Sequence, residues 1–122
     1  MSVDYDKDKL LSNVKRQSKR LAQLLDVPLS KAQYFLSAYV YSEQSFAILR
    51  SKIESGHLFA NLHFAMLGAD AEQHVFDSFS NAYEELYVTL EESPLRELYS
   101  GSIKELIFNL FGLGPKSIPV RQ

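Results

Sequence analysis

The sequence predicts an all-α fold, a single compact bundle of six or seven helices. Apolar residues recur at spacings of three and four, no segment alternates between apolar and polar residues, and the four prolines and five glycines fall between the periodic runs. A chain of 122 residues is long enough for one domain. We assign that domain to residues 1–115, with a basic part (1–56) and an apolar and acidic part (57–115), and we expect residues 116–122 to form a loose tail.

The first helix is predicted to run from about Val3 or Asp4 to Leu25. At 100° per residue, its leucines and Val14 form one apolar arc, and a basic cluster lies on the opposite arc. We expect this cluster to face water; it consists of Lys15, Arg16, Lys19 and Arg20. Pro28 ends the helix, because proline lacks an amide donor and disfavours helical backbone at the preceding residue.

Serine residues mark the predicted starts of the next two helices. Ser30, with Gln33 three residues later, fits a capping box and predicts a helix over residues 31–41. Ser42 is the predicted cap of a third helix, over residues 43–55, which stops at the following glycine.

The second half of the chain begins with an apolar segment. Residues 57–67 are predicted to form a buried helix, with a strand as the alternative for so short a run. Cap and proline signals then predict three more helices, which cover residues 71–92, 94–99 and 103–111.

Residues 19–36 resemble a helix-turn-helix. Ala22 supplies the small residue where two helices cross, and Asp26 stands where the turn usually carries a glycine in the left-handed conformation. Apolar residues that would hold the two helices together are Leu21, Leu25, Val27, Ala32 and Phe35. The resemblance implies that the second helix presents Ser30, Lys31, Gln33, Tyr34 and Ser37 outward, while the basic cluster contacts phosphates.

A second resemblance covers residues 18–49. The pattern basic–Leu-Ala-x-x-Leu-x-Val-x-Leu-Ser-x-Ala-Gln, followed by Tyr41-Ser42 and Phe46-x-x-Leu49, is similar to a short helical module of bacterial, plasmid and phage proteins. Val40 stands where that module usually has glycine, and Phe46 replaces a frequent tryptophan. The resemblance implies a bacterial or mobile-element origin and transfers no catalytic residue.

Charge is distributed unevenly along the chain. Positions 7 to 31 hold seven basic and two acidic residues, whereas positions 68 to 105 hold nine acidic and two basic residues. Such asymmetry within one domain indicates an oriented interaction with a charged partner.

Signals for catalysis and for metal binding are weak. The chain has no cysteine, no glycine-rich phosphate loop and no nucleophile elbow, so we expect no enzymatic activity and no cofactor. Asp70, His74 and Asp77 share one helical face, but a metal site needs three or four convergent ligands, and we therefore predict none.

Two further groups of residues are candidates for contacts. Tyr34, Tyr39 and Tyr41 cannot all face one way on a helix, so one or two of them could stack on a base or fill a partner's pocket. The last helix is apolar around most of its circumference, which indicates either a buried element of the bundle or a subunit or partner interface. The interface alternative would use Ile107, Phe108 and Phe111.

The leading hypothesis is a non-catalytic regulatory protein that binds DNA or RNA through the basic helix and the helix-turn-helix-like segment. The alternative is a protein-interaction module, an adaptor, regulator or inhibitor that acts through its acidic helix or its apolar C-terminal helix. The acidic, polar N-terminus is unlike a secretory signal, and no apolar run reaches the roughly 18 residues of a membrane span. We therefore expect a cytoplasmic protein with no membrane partner.

Overall fold

A computed structural model describes residues 6–56, 61–67 and 73–113, and over these ranges it contains helices and no strand. The helices are α1 (Lys7–Leu25), α2 (Leu29–Phe35), α3 (Phe46–Glu54), α4 (Leu62–Ala65), α5 (Gln73–Glu91), α6 (Leu95–Leu98) and α7 (Ile103–Leu110). A π-helical segment, Leu36–Val40, continues α2. The predicted all-α bundle of six or seven helices is confirmed. None of the helices in these ranges is long and apolar enough to cross a membrane.

Helix α1 is the central element of the bundle. It contacts α2, the π-helical segment, α3, α4 and α7, and α5 covers α4, α6 and α7. The hydrophobic core contains residues from both predicted parts of the chain, among them Leu21, Leu49, Phe64, Phe79 and Ile107. The basic and the acidic parts of the sequence therefore share one core.

Local sequence explains where α1 and α7 begin and end. The Asp6 carboxylate accepts a hydrogen bond from the Lys9 amide at the start of α1, and Ser102 forms a capping box with Glu105 at the start of α7. At the end of α1, Asp26 has φ 56° and ψ 52°, the left-handed conformation that the helix-turn-helix pattern predicts there. Gly112 takes the same role after α7, with φ 67°.

Two predicted caps are wrong. Helix α2 begins at Leu29, because Pro28 has extended backbone and its carbonyl accepts the amides of Lys31 and Ala32, so Ser30 lies inside the first turn and forms no cap. Ser42 has φ 57° and closes the π-helical segment, and the amide that follows it donates to the Ser37 carbonyl at 2.7 Å. The cap of α3 is Ser45, three residues later.

Within the apolar segment 57–67 the structure describes residues 61–67, and α4 covers Leu62–Ala65 of these. The alternative of a strand is therefore wrong for this part. Residues 57–60, the start of the predicted 71–92 helix and the predicted tail, 116–122, lie outside the described residues.

A buried polar network joins α1 to α4 and to the end of the π-helical segment. The Asn13 and Gln17 side-chain amides donate to the carbonyls of Ala65 and Phe64, both at 3.0 Å. The Tyr41 hydroxyl donates to Gln17 Oε1 at 2.7 Å. The last carbonyls of a helix have no intrahelical donors, and α1 donates to two of those of α4; the Phe64 carbonyl also accepts the Leu67 amide at 3.4 Å.

Removal of the Tyr41 hydroxyl tests this network. We expect Tyr41→Phe to lower the free energy of unfolding by about 1–3 kcal/mol, because the buried Gln17 oxygen loses its donor. Urea denaturation measures the change. Tyr34→Phe is the matched control, since half of the Tyr34 surface is exposed. Equal stability of the two variants would contradict a structural role for the Tyr41 hydroxyl.

Tyr41 also makes the free energy of unfolding depend on pH in the alkaline range. Burial raises the pKa of Tyr41 far above its ordinary value of 10.0, because the buried phenolate would lose its hydration. Unfolded Tyr41 ionises near its ordinary pKa while folded Tyr41 stays neutral, so its contribution is complete below about pH 10 and falls as the pH rises. We expect the stability advantage of the unmodified protein over Tyr41→Phe to shrink above about pH 10, with a slope approaching 1.4 kcal/mol per pH unit. An advantage that stays constant up to about pH 11.5 would be the contrary result.

Candidate nucleic-acid interface

Three exposed cations lie close together in the middle of α1. Lys15, Arg16 and Lys19 are exposed, and we name them the basic face. Lys15 and Lys19 are one turn apart, about 6 Å along the helix axis, and Arg16 lies beside them. An open depression of about 400 Å³ follows this side of α1 and is lined by Asp8, Leu11, Ser12, Lys15, Arg16 and Lys19.

The basic face is not neutralised by the acidic part of the chain. In the residues that the structure describes, acidic side chains pair with cations elsewhere. Within α3, Glu54 pairs with Arg50 at 4.0 Å; Glu43, before α3, pairs with Lys52 at 3.0 Å; and Glu91 of α5 pairs with Arg96 of α6 at 3.0 Å. No ion pair joins a described carboxylate to Lys15, Arg16 or Lys19. Their positive charges are therefore directed to solvent.

Arg20, the fourth residue of the predicted basic cluster, turns toward the protein. Its Nη1 donates to the Leu110 carbonyl at 3.4 Å, at the C-terminal end of α7. Its guanidinium lies against Gly112, where an added Cβ would come within 2.6 Å of Arg20 Nη1. Burial, and secondly the charge of Arg16, lower the pKa of Arg20. Its position at the end of α7 satisfies a terminal carbonyl and complements the helix dipole. Arg20 is therefore half-buried at the end of α7, and its role as a phosphate contact stays a prediction.

The predicted α1–α2 packing is present. Leu21, Leu25, Ala32 and Phe35 are buried, and Val27 is half-buried beside the core. The local pattern therefore placed the turn and the contact between the two helices correctly.

The outward residues of the second helix are fewer than predicted. Ser30, Lys31 and Tyr34 are exposed, and we name them the outward face of α2. Gln33 is half-buried. Ser37 is fully buried and its hydroxyl donates to the Gln33 carbonyl at 2.8 Å, so the prediction that it faces outward is wrong. The physical reason is that the chain enters the π-helical segment at Leu36, and this segment packs against α1, α3 and α5.

The apolar C-terminal helix is an internal element. Ile107 and Phe111 are buried, and the Phe111 ring packs at 5.6 Å from that of Phe64 and at 5.5 Å from that of Phe79. Phe108 is half-buried, with its ring 6.3 Å from that of Tyr83. The predicted interface at Ile107 and Phe111 is therefore wrong, because α1 and α5 already cover this side of α7.

The metal candidates do not converge in the described part of the chain. His74 and Asp77 are exposed, and Asp77 accepts a hydrogen bond from Gln73 at 3.1 Å. Asp70 lies outside the described residues. No group of three or more histidine, aspartate or glutamate side chains in the described ranges could hold a metal ion.

The buried polar residues that orient α1 were not predicted from the sequence. Asn13 and Gln17 lie one turn apart on the buried side of α1, so the side of α1 that carries the cations points away from the core. The sequence does carry a signal for these buried amides, because two amide side chains at positions i and i+4 lie within the leucine arc of α1. Their partners, the carbonyls of α4, are about 50 residues away and could not be read from the pattern.

Comparisons with protein-family models, with curated proteins and with solved structures each find no match to this chain. The resemblance of residues 18–49 to a bacterial and phage module therefore stays a prediction.

The different roles of Arg20 and Lys19 can be separated by mutation. We expect Arg20→Gln to lower the free energy of unfolding by about 0.5–1.5 kcal/mol, because the Leu110 carbonyl loses its donor. Lys19→Gln, one residue away and exposed, should change it by less than about 0.5 kcal/mol. Thermal denaturation of the two variants measures both values. If Arg20→Gln is as stable as Lys19→Gln, Arg20 does not hold the end of α7.

Proposed function

We propose that this protein is a non-catalytic, nucleic-acid-binding protein that contacts phosphates through the basic face of α1. The observation that carries this proposal is the exposure of Lys15, Arg16 and Lys19 within five residues of one helix, with no carboxylate paired to them in the described part of the chain. Arginine and lysine side chains in this arrangement neutralise backbone phosphates whatever the base sequence is.

The outward face of α2 belongs to the same proposal. The short turn at Asp26 joins α2 to α1. The outward face of α2 and the basic face of α1 therefore lie on one pair of connected helices. This face has one cation, Lys31, and neither arginine nor asparagine, the side chains that most often read guanine and adenine edges. We therefore propose binding that depends on phosphates more than on base sequence.

The proposal predicts a salt dependence. Three neutralised phosphates give a slope of about −3 for log K against log salt on a duplex and about −2 on a single strand. Affinity for a duplex should then fall about 40-fold between about 50 and 200 mM salt. Fluorescence anisotropy with labelled oligonucleotides measures this slope.

The decisive variant replaces the three cations of the basic face. We expect Lys15→Gln/Arg16→Gln/Lys19→Gln to abolish binding and its salt dependence. Arg50→Gln/Arg96→Gln/Lys104→Gln is the control, because it removes the same charge from exposed positions on α3, α6 and α7. Absence of binding by the unmodified protein at low salt, or equal loss in both variants, would refute the proposal.

A second candidate function is binding of a basic protein through α5. Its outward side carries Glu84 and Glu85 near the half-exposed Val88, and Glu92 follows directly after the helix. An acidic surface of this kind can attract a basic partner. Co-purification with a basic protein and with no nucleic acid would support this second candidate over the first. Loss of that protein in Glu84→Gln/Glu85→Gln/Glu92→Gln would then assign the binding to these carboxylates.

A further inference from the structure

The three tyrosines near the second helix have different environments. Tyr34 is 50% exposed, Tyr39 packs partly against the core, and Tyr41 is fully buried in the polar network. Only Tyr34 among these three presents a large part of its aromatic surface to solvent. A half-exposed aromatic ring is not explained by the packing of the described core.

The Tyr34 ring packs against a buried aromatic ring and lies near a positively charged side chain. Its ring centroid is 5.9 Å from that of Phe35, which is buried in the core. Lys31 and Ser30 precede Tyr34 by three and four residues, so both side chains share its side of α2. The outward face of α2 therefore combines an aromatic surface, an ammonium group and a hydroxyl.

This face suits an unpaired base better than a duplex. Helix α2 has seven residues, about 10 Å, and the next position along its outward side, Ser37, is buried. A duplex offers only base edges in its grooves, and the outward face of α2 lacks the side chains that read them best. Unpaired bases expose their ring faces, which stack on tyrosine whatever the sequence.

We infer that Tyr34 stacks on an unpaired nucleobase and that the nucleic acid bound by this protein is single-stranded. The inference rests on the proposed function and specifies its ligand: Tyr34 holds a base, Lys31 is placed to meet the adjacent phosphate, and the basic face of α1 follows the rest of the strand. The complementary charge of the strand and the basic face selects this ligand over an uncharged apolar partner.

The chain contains no tryptophan, so Tyr34→Trp places a single fluorescent reporter at the proposed stacking site. We expect oligo(dT) or oligo(U) of 4 to about 16 nucleotides, the range of strand lengths that such sites cover, to quench this fluorescence. A hairpin duplex should leave it unchanged. Val88→Trp, an equally exposed position on α5, is the control and should not respond to either ligand. The dT and U series distinguish DNA from RNA as the preferred strand.

Affinity measurements complete the test. Tyr34→Ala should weaken single-strand binding about 5- to 150-fold, the loss of one stacked base, and leave weak duplex binding unchanged. Tyr34→Phe should retain single-strand affinity, because stacking needs the ring and not the hydroxyl. Unchanged affinity in Tyr34→Ala, or duplex binding as tight as single-strand binding, overturns this inference while the basic-face proposal stands. Absence of binding to every oligonucleotide by the unmodified protein overturns both.

Discussion

The buried amide of Gln17 connects three parts of the fold. It donates to the Phe64 carbonyl of α4 and accepts from the Tyr41 hydroxyl at the end of the π-helical segment. An amide with an unmet donor or acceptor in this position would cost free energy, so α1 has one favourable rotation about its axis. Asn13, one turn earlier on α1, favours the same rotation because its side-chain amide donates to the Ala65 carbonyl.

The outward surface of α1 is a consequence of this constraint. With Asn13 and Gln17 fixed inward, Lys15, Arg16 and Lys19 must point to solvent on the other side of the helix. Arg20 lies at the boundary between the two sides, close enough to reach the Leu110 carbonyl. Lys19 and Arg20 are one step of 100° apart around α1, so Lys19 faces solvent while Arg20 reaches the end of α7.

The fold and much of the candidate interface were predictable from local patterns. The leucine spacing located α1 and its exposed cations, and Asp26 was correctly placed in a left-handed turn because the helix-turn-helix pattern requires that backbone there. Predictions failed where two local signals of equal quality compete. Ser42 and Ser45 are both plausible caps, and the choice between them depended on the π-helical segment, whose closing bond uses the Ser37 carbonyl.

Residue spacing within single helices was enough to specify the all-α class and the amphipathic character of α1, and the uneven charge distribution can be read directly along the chain. Packing between helices set which polar and aromatic side chains remain available for a ligand. It buried Ser37, Tyr41, Ile107 and Phe111, turned Arg20 inward and left Tyr34 exposed. The physical reason is that burial and hydrogen-bond satisfaction depend on which helices meet, and those contacts join residues far apart in the chain.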